Sequence, residues 1–336
     1  MDSLTLPKPP ARPAWRAELA EAFTDPAELL GFLGLEAAAF PALREATGRF
    51  PFRVTRCYAA RMKKGDPADP LLRQVLPLAA ELAERPGFSA DPVGDLRAVS
   101  LPGMLQKYHG RALLITTGAC AIHCRYCFRR EFPYGAQHLG QRAEREVLAR
   151  IAGDRSLREI ILSGGDPLVL GDESLGRLIG ALAEIPHLQR LRLHTRLPLV
   201  LPSRVTAELV RVLTDTRLPT VVVVHANHPA EFDEAVREGL DRLRAAGLVL
   251  LNQSVLLRGV NDDPDTLIRL SEVLLAHGVL PYYLHLLDRV RGAGHFEVPE
   301  ERARELVRVL RERLPGYLVP RLVREEAGRP FKTPLL

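Results

Sequence analysis

Six short apolar runs, each followed by a stretch of helical periodicity, constrain the fold of this 336-residue chain more than any other feature. They fall at residues 112–117, 159–163, 191–195, 220–225, 248–254 and 279–284, each bounded by turn signals. Strand, loop and helix repeated in series predict a parallel sheet covered by helices. Continuous apolar strands, in place of alternating ones, fit burial on both faces. Some helix ends can be read directly: Asp263 with Pro264 opens a helix that Gly278 closes, and Gly247 closes the pattern of 233–246. Six units fall short of the eight of a closed barrel, so the expected fold is α/β, an open (β/α)6 partial barrel with its functional residues just after the strands.

Polar residues stand at all six of those places. The first run leads into TTGACAIHCRYCFRREFPY, with Cys120, Cys124 and Cys127; the others lead into Gly164-Gly165-Asp166-Pro167, His194-Thr195-Arg196, His225 with Asn227, Gln253-Ser254, and His285 with Asp288. One Gly-Gly is usually a turn and one such His a hydrogen-bonded core residue, but six polar strand ends on one rim point to a site. Three thiolates in a C-x3-C-x2-C spacing are one short of a closed tetrahedral metal site and one short of the four that normally hold an iron–sulfur cluster. A three-Cys cluster would leave one iron open to a small molecule. The competing reading is a Cys3His zinc knot completed by His123, His109 or His138; it lacks the second C-x2-C pair that zinc motifs usually bring. Cys57, far from the loop in sequence, reads as a small buried apolar residue.

Composition narrows the class. Four Cys, three of them in one loop, exclude a disulfide scaffold and predict a reducing, cytoplasmic location. The net charge of +5 is spread as Arg interleaved with Glu along helical stretches such as PEERARELVRVLRERL, a solvated face with i,i+4 pairs, so nucleic-acid binding is not expected. No run of 18 apolar residues and no signal-peptide pattern appear, so no membrane partner is expected. Residues 1 to about 13 are Pro-rich and read as an extended arm. Helical patterns follow, including one over 67–84 with a kink at Pro77. The expected organisation is a helical N-terminal region, 1–105, in which no chemistry is legible; a barrel core, 106–288; and a C-terminal extension, 289–336.

The Cys spacing, with Tyr126 before the third Cys, resembles that of the radical S-adenosylmethionine (SAM) enzymes. LSGGDPL, HTRLPLVLPSRVT, HANHP and LNQSVLLRGVND, in that order after the Cys loop, resemble the lysine 2,3-aminomutases over about residues 50–336. GYLVPRLVREEAGRPFKTPL is similar to the branch of that family that supplies (R)-β-lysine for elongation factor P. The resemblance implies three cofactors: a [4Fe–4S] cluster on Cys120, Cys124 and Cys127; SAM beside Gly164, Gly165 and Asp166; and pyridoxal phosphate (PLP) linked to Lys332, with Lys107 and Gln253 near it. It further implies that Arg129 holds the carboxylate of L-lysine and Asp288 its ε-ammonium, with Glu325 where relatives have a second Asp. An electron donor, and an indirect link to elongation factor P through a separate ligase, are the implied partners. The C-terminal extension is then the PLP-binding one. An aminomutase for another amino acid, or a zinc-stabilised binding module, is the alternative.

Overall fold

The computed structural model describes residues 13–336, the side chains of Gln141 and Arg142 excepted. The expected N-terminal arm therefore lies, but for Pro13, outside the described residues. Ten strands form one sheet in chain order. β1 (Val99–Leu101) and β2 (Met104–Leu105) pair antiparallel with each other, and β2 with β3 (Arg111–Thr117). From β3 the sheet is parallel through β4 (Glu159–Gly164), β5 (Arg190–Thr195), β6 (Thr220–Val224), β7 (Val249–Val255), β8 (Leu280–His285) and β9 (Arg321–Arg324). β10 (Thr333–Pro334) returns antiparallel on β9. The six expected strands are β3 to β8. β9 is a seventh parallel strand that the sequence hid, because a four-residue run with Arg at both ends has no apolar length to read.

Local chemistry sets the helices between the strands. Pro264–Ala276 starts where Asp263 Oδ1 accepts the Thr266 N–H at 2.8 Å, Glu234–Ala245 where Asp233 Oδ1 accepts that of Val236 at 2.9 Å, and Ala207–Thr214 at the Thr206 cap. Glu300–Arg313 buries Ala303, Leu306, Val307 and Leu310 and carries its charges outward, Arg304 pairing with Glu300. No helix among the described residues is long and apolar enough to cross a membrane.

The N-terminal region differs from its reading. In place of one helix over 67–84 there are one turn of α-helix, Pro70–Arg73, and a 3-10 turn, Ala79–Glu81. Pro77 supplies no N–H and disfavours helix at the residue before it. Leu71, Leu72, Val75 and Leu76 are buried all the same, so the apolar spacing is satisfied without the helix. The broken chain also points the buried polar side chains of Gln74 and Glu81 into the protein, which bears on the site. Trp15, Phe23, Leu29, Leu30 and Leu33 belong to the same apolar cluster as the strands up to β7.

Candidate active site

The C-terminal ends of the parallel strands open on one cavity of about 340 Å3. Its walls include each site residue that the resemblance implies: Cys120, Cys124 and Cys127; Gly164, Gly165 and Asp166; Lys107, Arg129 and Gln253; Asp288, Glu325 and Lys332. Cys57 does not line it; its thiol donates to the Val200 carbonyl at 3.0 Å.

The Cys loop is anchored from the N-terminal region. The fully buried Arg125 guanidinium is clamped on Glu81 at 2.8 and 2.6 Å and donates to the Phe50 carbonyl at 2.9 Å. Arg130 donates to the same Glu81 at 2.7 Å. Backbone bonds from Arg125 N–H to Gln74 O and from His123 N–H to Arg53 O, each 2.9 Å, complete the attachment. These contacts turn His123 outward, its Nδ1 3.0 Å from Pro51 O, and none of His109, His123 and His138 lines the cavity. Among the described residues no three His, Cys, Asp or Glu side chains converge as ligands of a single ion. A zinc knot closed by one of those three histidines is therefore not what the loop presents to the cavity. Burial pushes the Cys127 thiol up to about 11 and, with Asp166, raises Cys120 too.

The β3–β4 register shifts between Ile115 and Thr117, so that Thr117 faces Gly164. Gly164 has φ +121°, and a Cβ there would stand 2.6 Å from Thr117 O; at Gly165 it would stand 2.2 Å from Ala119 O. Gly165 N–H donates to Thr117 O at 2.7 Å and Asp166 N–H to Ala119 O at 2.9 Å. The glycines thus let the loop after β4 lie against the backbone of the Cys loop, a reason that precedes the approach of any ligand. Asp166 works inward as well: its carboxylate accepts from Leu168 N–H, the Thr195 hydroxyl and Arg196 N–H at 3.0, 2.7 and 2.7 Å. Its side chain, in the cavity wall, ties its own loop to the one after β5.

Across the cavity runs a chain of alternating charges. Arg129 Nε donates to Asp95 Oδ2 at 2.5 Å, Lys107 Nζ lies 2.5 Å from Asp95 Oδ1 and 3.0 Å from Glu325 Oε1, and Glu325 Oε2 holds Lys332 Nζ. Burial opposes ionisation of Glu325, but Lys332 and Lys107 outweigh it and hold the carboxyl down at about 2; Arg129 and Lys107 likewise depress Asp95 against its burial. Asp288 stands apart. No donor among the described residues bonds its carboxylate, and burial with Glu325 nearby pushes it up to about 7. Gln253 Nε2 lies 3.3 Å from His194 Nδ1 and 3.0 Å from His225 Nε2. Burial brings His225 down to about 3 and keeps His194 and His285 neutral too. The Nε2 atoms of His194 and His285 are buried with no partner, which leaves polar points for a ligand.

Asp95 was not foreseen. It lies in the region read as carrying no chemistry, where an Asp in DPVGDLR looks like turn sequence. Only the structure brings it in: Gly94, with φ +68° and a Cβ position 3.0 Å from the Ala327 Cβ, lets the loop press against the β9–β10 hairpin.

Residues 114–270 match the radical SAM superfamily. The L-lysine 2,3-aminomutase of Escherichia coli (strain K12) is 48% identical over 327 residues, 97% of this chain and 95% of that one. That of Haemophilus influenzae is 45% identical over 95% of this chain and 94% of its own, and that of Clostridium subterminale 34% identical over 96% and 77%. With such identity along nearly the whole of both chains, the protein belongs to the lysine 2,3-aminomutase family of radical SAM isomerases, which work with a [4Fe–4S] cluster and SAM.

Proposed function

We propose that this isomerase takes free L-lysine to (R)-β-lysine with PLP as its third cofactor, and that the product reaches elongation factor P through a separate ligase. The observation that carries the reading is the placement of Arg129, Asp288 and the Lys332–Glu325–Lys107 cluster on one cavity with the three cysteines. The residues fit the groups. Three thiols face one space with a cation beside them, His194 and His285 present unpartnered nitrogens, and Lys332 offers an amine able to link to an aldehyde. When bound, the cluster with SAM supplies hydrogen-atom abstraction and PLP an electron-accepting ring.

The chain's own residues bind and orient. Cys120, Cys124 and Cys127 hold the cluster, and Gly164 and Gly165 bring the SAM-binding loop against it. Glu325 holds Lys332 Nζ in place, and Lys107, braced by Asp95, provides fixed positive charge for a phosphate. Arg129 keeps its Nε on Asp95 and its Nη1 3.4 Å from Ser163 Oγ, which leaves Nη2 for a substrate carboxylate. Asp288 holds a proton near neutrality while alone; a cationic side chain beside it favours the ionised form, and a neutral one leaves it uncompensated. The neutral histidines accept or donate single hydrogen bonds without adding charge. The elongation factor P assignment is supported by the resemblance of residues 316–335.

The test is an anaerobic assay of reconstituted protein with L-lysine, SAM, PLP and dithionite, followed by borohydride reduction and peptide mapping. Formation of β-lysine and a pyridoxyl label on Lys332 are expected. A label on Lys107, or turnover of glutamate in preference to lysine, refutes the site assignment.

A further inference from the structure

Arg196, just beyond β5, is held beside the Cys loop by both of its terminal nitrogens. Its Nη1 donates to Cys124 Sγ at 2.7 Å and to the Tyr126 hydroxyl at 2.9 Å. Its Nη2 donates to Gln74 Oε1 at 2.7 Å and to Glu231 Oε2 at 2.9 Å. Gln74 and Glu231 are both 0% exposed. Glu231 cannot swing away, because its other oxygen accepts the backbone N–H groups of Asn227 at 2.8 Å and His228 at 3.2 Å. The backbone of Arg196 is pinned as well, its N–H donating to Asp166 at 2.7 Å. Parts of the chain distant in sequence thus converge to hold one guanidinium against one sulfur.

Packing alone does not call for this arrangement. A buried ion pair is costly to desolvate, and apolar side chains of similar size would fill the space at no such cost. What an apolar filling would lack is the donor to sulfur. Among the described residues Arg196 is the one side chain that donates to a thiol of the loop; Cys127 receives a backbone N–H, from Arg129.

We propose that Arg196 sets the reduction potential of the cluster by donating a charge-assisted hydrogen bond to the Cys124 thiolate, an inference that rests on Cys124 being a cluster ligand. Reduction brings one electron from an external one-electron donor and no proton. Arg196 stays protonated, and the added negative charge spreads over the sulfurs, Cys124 Sγ among them. A fixed positive donor at that sulfur stabilises the reduced form more than the oxidised one and so raises the potential. Gln74 and Glu231 act as positioning residues for it.

The experiment is a redox titration of the reconstituted protein without SAM, followed by the paramagnetic signal of the reduced cluster, on wild type, Arg196→Gln and Arg196→Lys, with iron counted on each. Dithionite is the electron source. Wild-type iron content is expected in both variants. In Arg196→Gln the ratio of reduced to oxidised cluster at the wild-type midpoint falls about tenfold, equivalent to about 59 mV for a one-electron couple. Arg196→Lys falls by less, since it keeps the charge but not the fork. An unchanged midpoint in Arg196→Gln overturns the inference, as does a larger fall in Arg196→Lys. Loss of the cluster from both variants makes Arg196 a support of the loop and overturns it too. A Cys124→Ala variant that keeps its full iron refutes the ligand assignment beneath the inference; an unchanged midpoint with that variant iron-poor refutes the inference alone.

Discussion

Replacing Asp288 with Asn should make the protein more stable and less active, with the stability gain growing as pH rises. Asp288 lines the cavity without a hydrogen-bond partner among the described residues, and its carboxyl is pushed up to about 7. The charged groups facing it are Glu325 and Lys332 from the β9–β10 hairpin, and Lys107 and Asp95 from the segment before β3. An unfolded Asp titrates near 3.9. Between about pH 4 and pH 7 the folded chain therefore holds a proton that the unfolded chain has lost, and stability falls as pH rises through that window. Each unit is worth about 1.36 kcal/mol, so the full cost above pH 7 is about 4 kcal/mol at most. About 2.7 kcal/mol of it would develop between pH 5 and pH 7, or about 1–2 after discounting for solvent in the open cavity. Asn cannot ionise and gives up no protein partner. Urea unfolding of cluster-loaded protein without PLP or lysine, at pH 5 and pH 8, should show the Asn variant gaining about 1–2 kcal/mol more over wild type at pH 8 than at pH 5. A pH-independent difference, or a wild type that is relatively better at pH 8, would refute the reasoning. Turnover of lysine should move the opposite way, by about ten- to hundredfold, the worth of a hydrogen bond to a charged group.

Other substitutions probe the neighbouring parts of the site. Gly165→Ala would place a Cβ 2.2 Å from Ala119 O, and is expected to lower bound iron after reconstitution as the Cys loop is displaced; full iron content would contradict the close-approach argument. Asp95→Asn removes the countercharge shared by Arg129 and Lys107 and is expected to raise KM for lysine about tenfold with iron unchanged, since loss of one charge-assisted bond costs about 1.5–3 kcal/mol; an unchanged KM would show that Arg129 needs no brace. Cys57→Ala should retain full iron, because its thiol is spent on Val200 O, and loss of iron in that variant would reopen the ligand assignment.

The rhythm of strand and helix was legible because strands such as β4 and β6 are buried along most of their length and read as short apolar runs between turn signals. Positions at the C-terminal ends of such runs or just after them inherit their place on the rim from topology alone, which is why Gln253, near the end of β7, and Asp288, after β8, could be singled out without coordinates. Their detailed tasks were less legible. Asp166 reads as a polar residue after a glycine pair, and only the geometry shows its carboxylate spent on Thr195, Leu168 and Arg196. Gln74 and Glu81 were hidden for a different reason. They sit among correctly spaced leucines, so the helical pattern absorbed them as surface positions, while the chain breaks at Pro77 and buries both against Arg196 and Arg125. Asp95 had no periodic context at all. Its role comes from a contact with Arg129, 34 residues away, and separations of that kind leave no trace in local pattern.

The use of lysine ties these strands of argument together. The chain carries 41 Arg and five Lys, so where only positive charge is needed it places Arg. Lys63 lies exposed beside Asp66, and Lys64 lies over the Phe32 ring. Lys107 and Lys332, 225 positions apart, meet on the two oxygens of Glu325 inside the cavity. A guanidinium could satisfy Glu325 as well as either amine, and its planar fork would suit a carboxylate better. What it cannot do is form a covalent link to an aldehyde. Under the proposed function one of the two positions needs an amine for its chemistry, and the geometry favours Lys332. Lys107 is braced on three sides, by Asp95, Val93 O and Glu325, whereas the one bond from Lys332 Nζ among the described residues goes to Glu325, which a ligand can replace. Lys107→Arg should accordingly keep the borohydride-fixed label, with weakened PLP affinity, while Lys332→Arg loses the label altogether. The reverse pattern would exchange the roles of the two lysines.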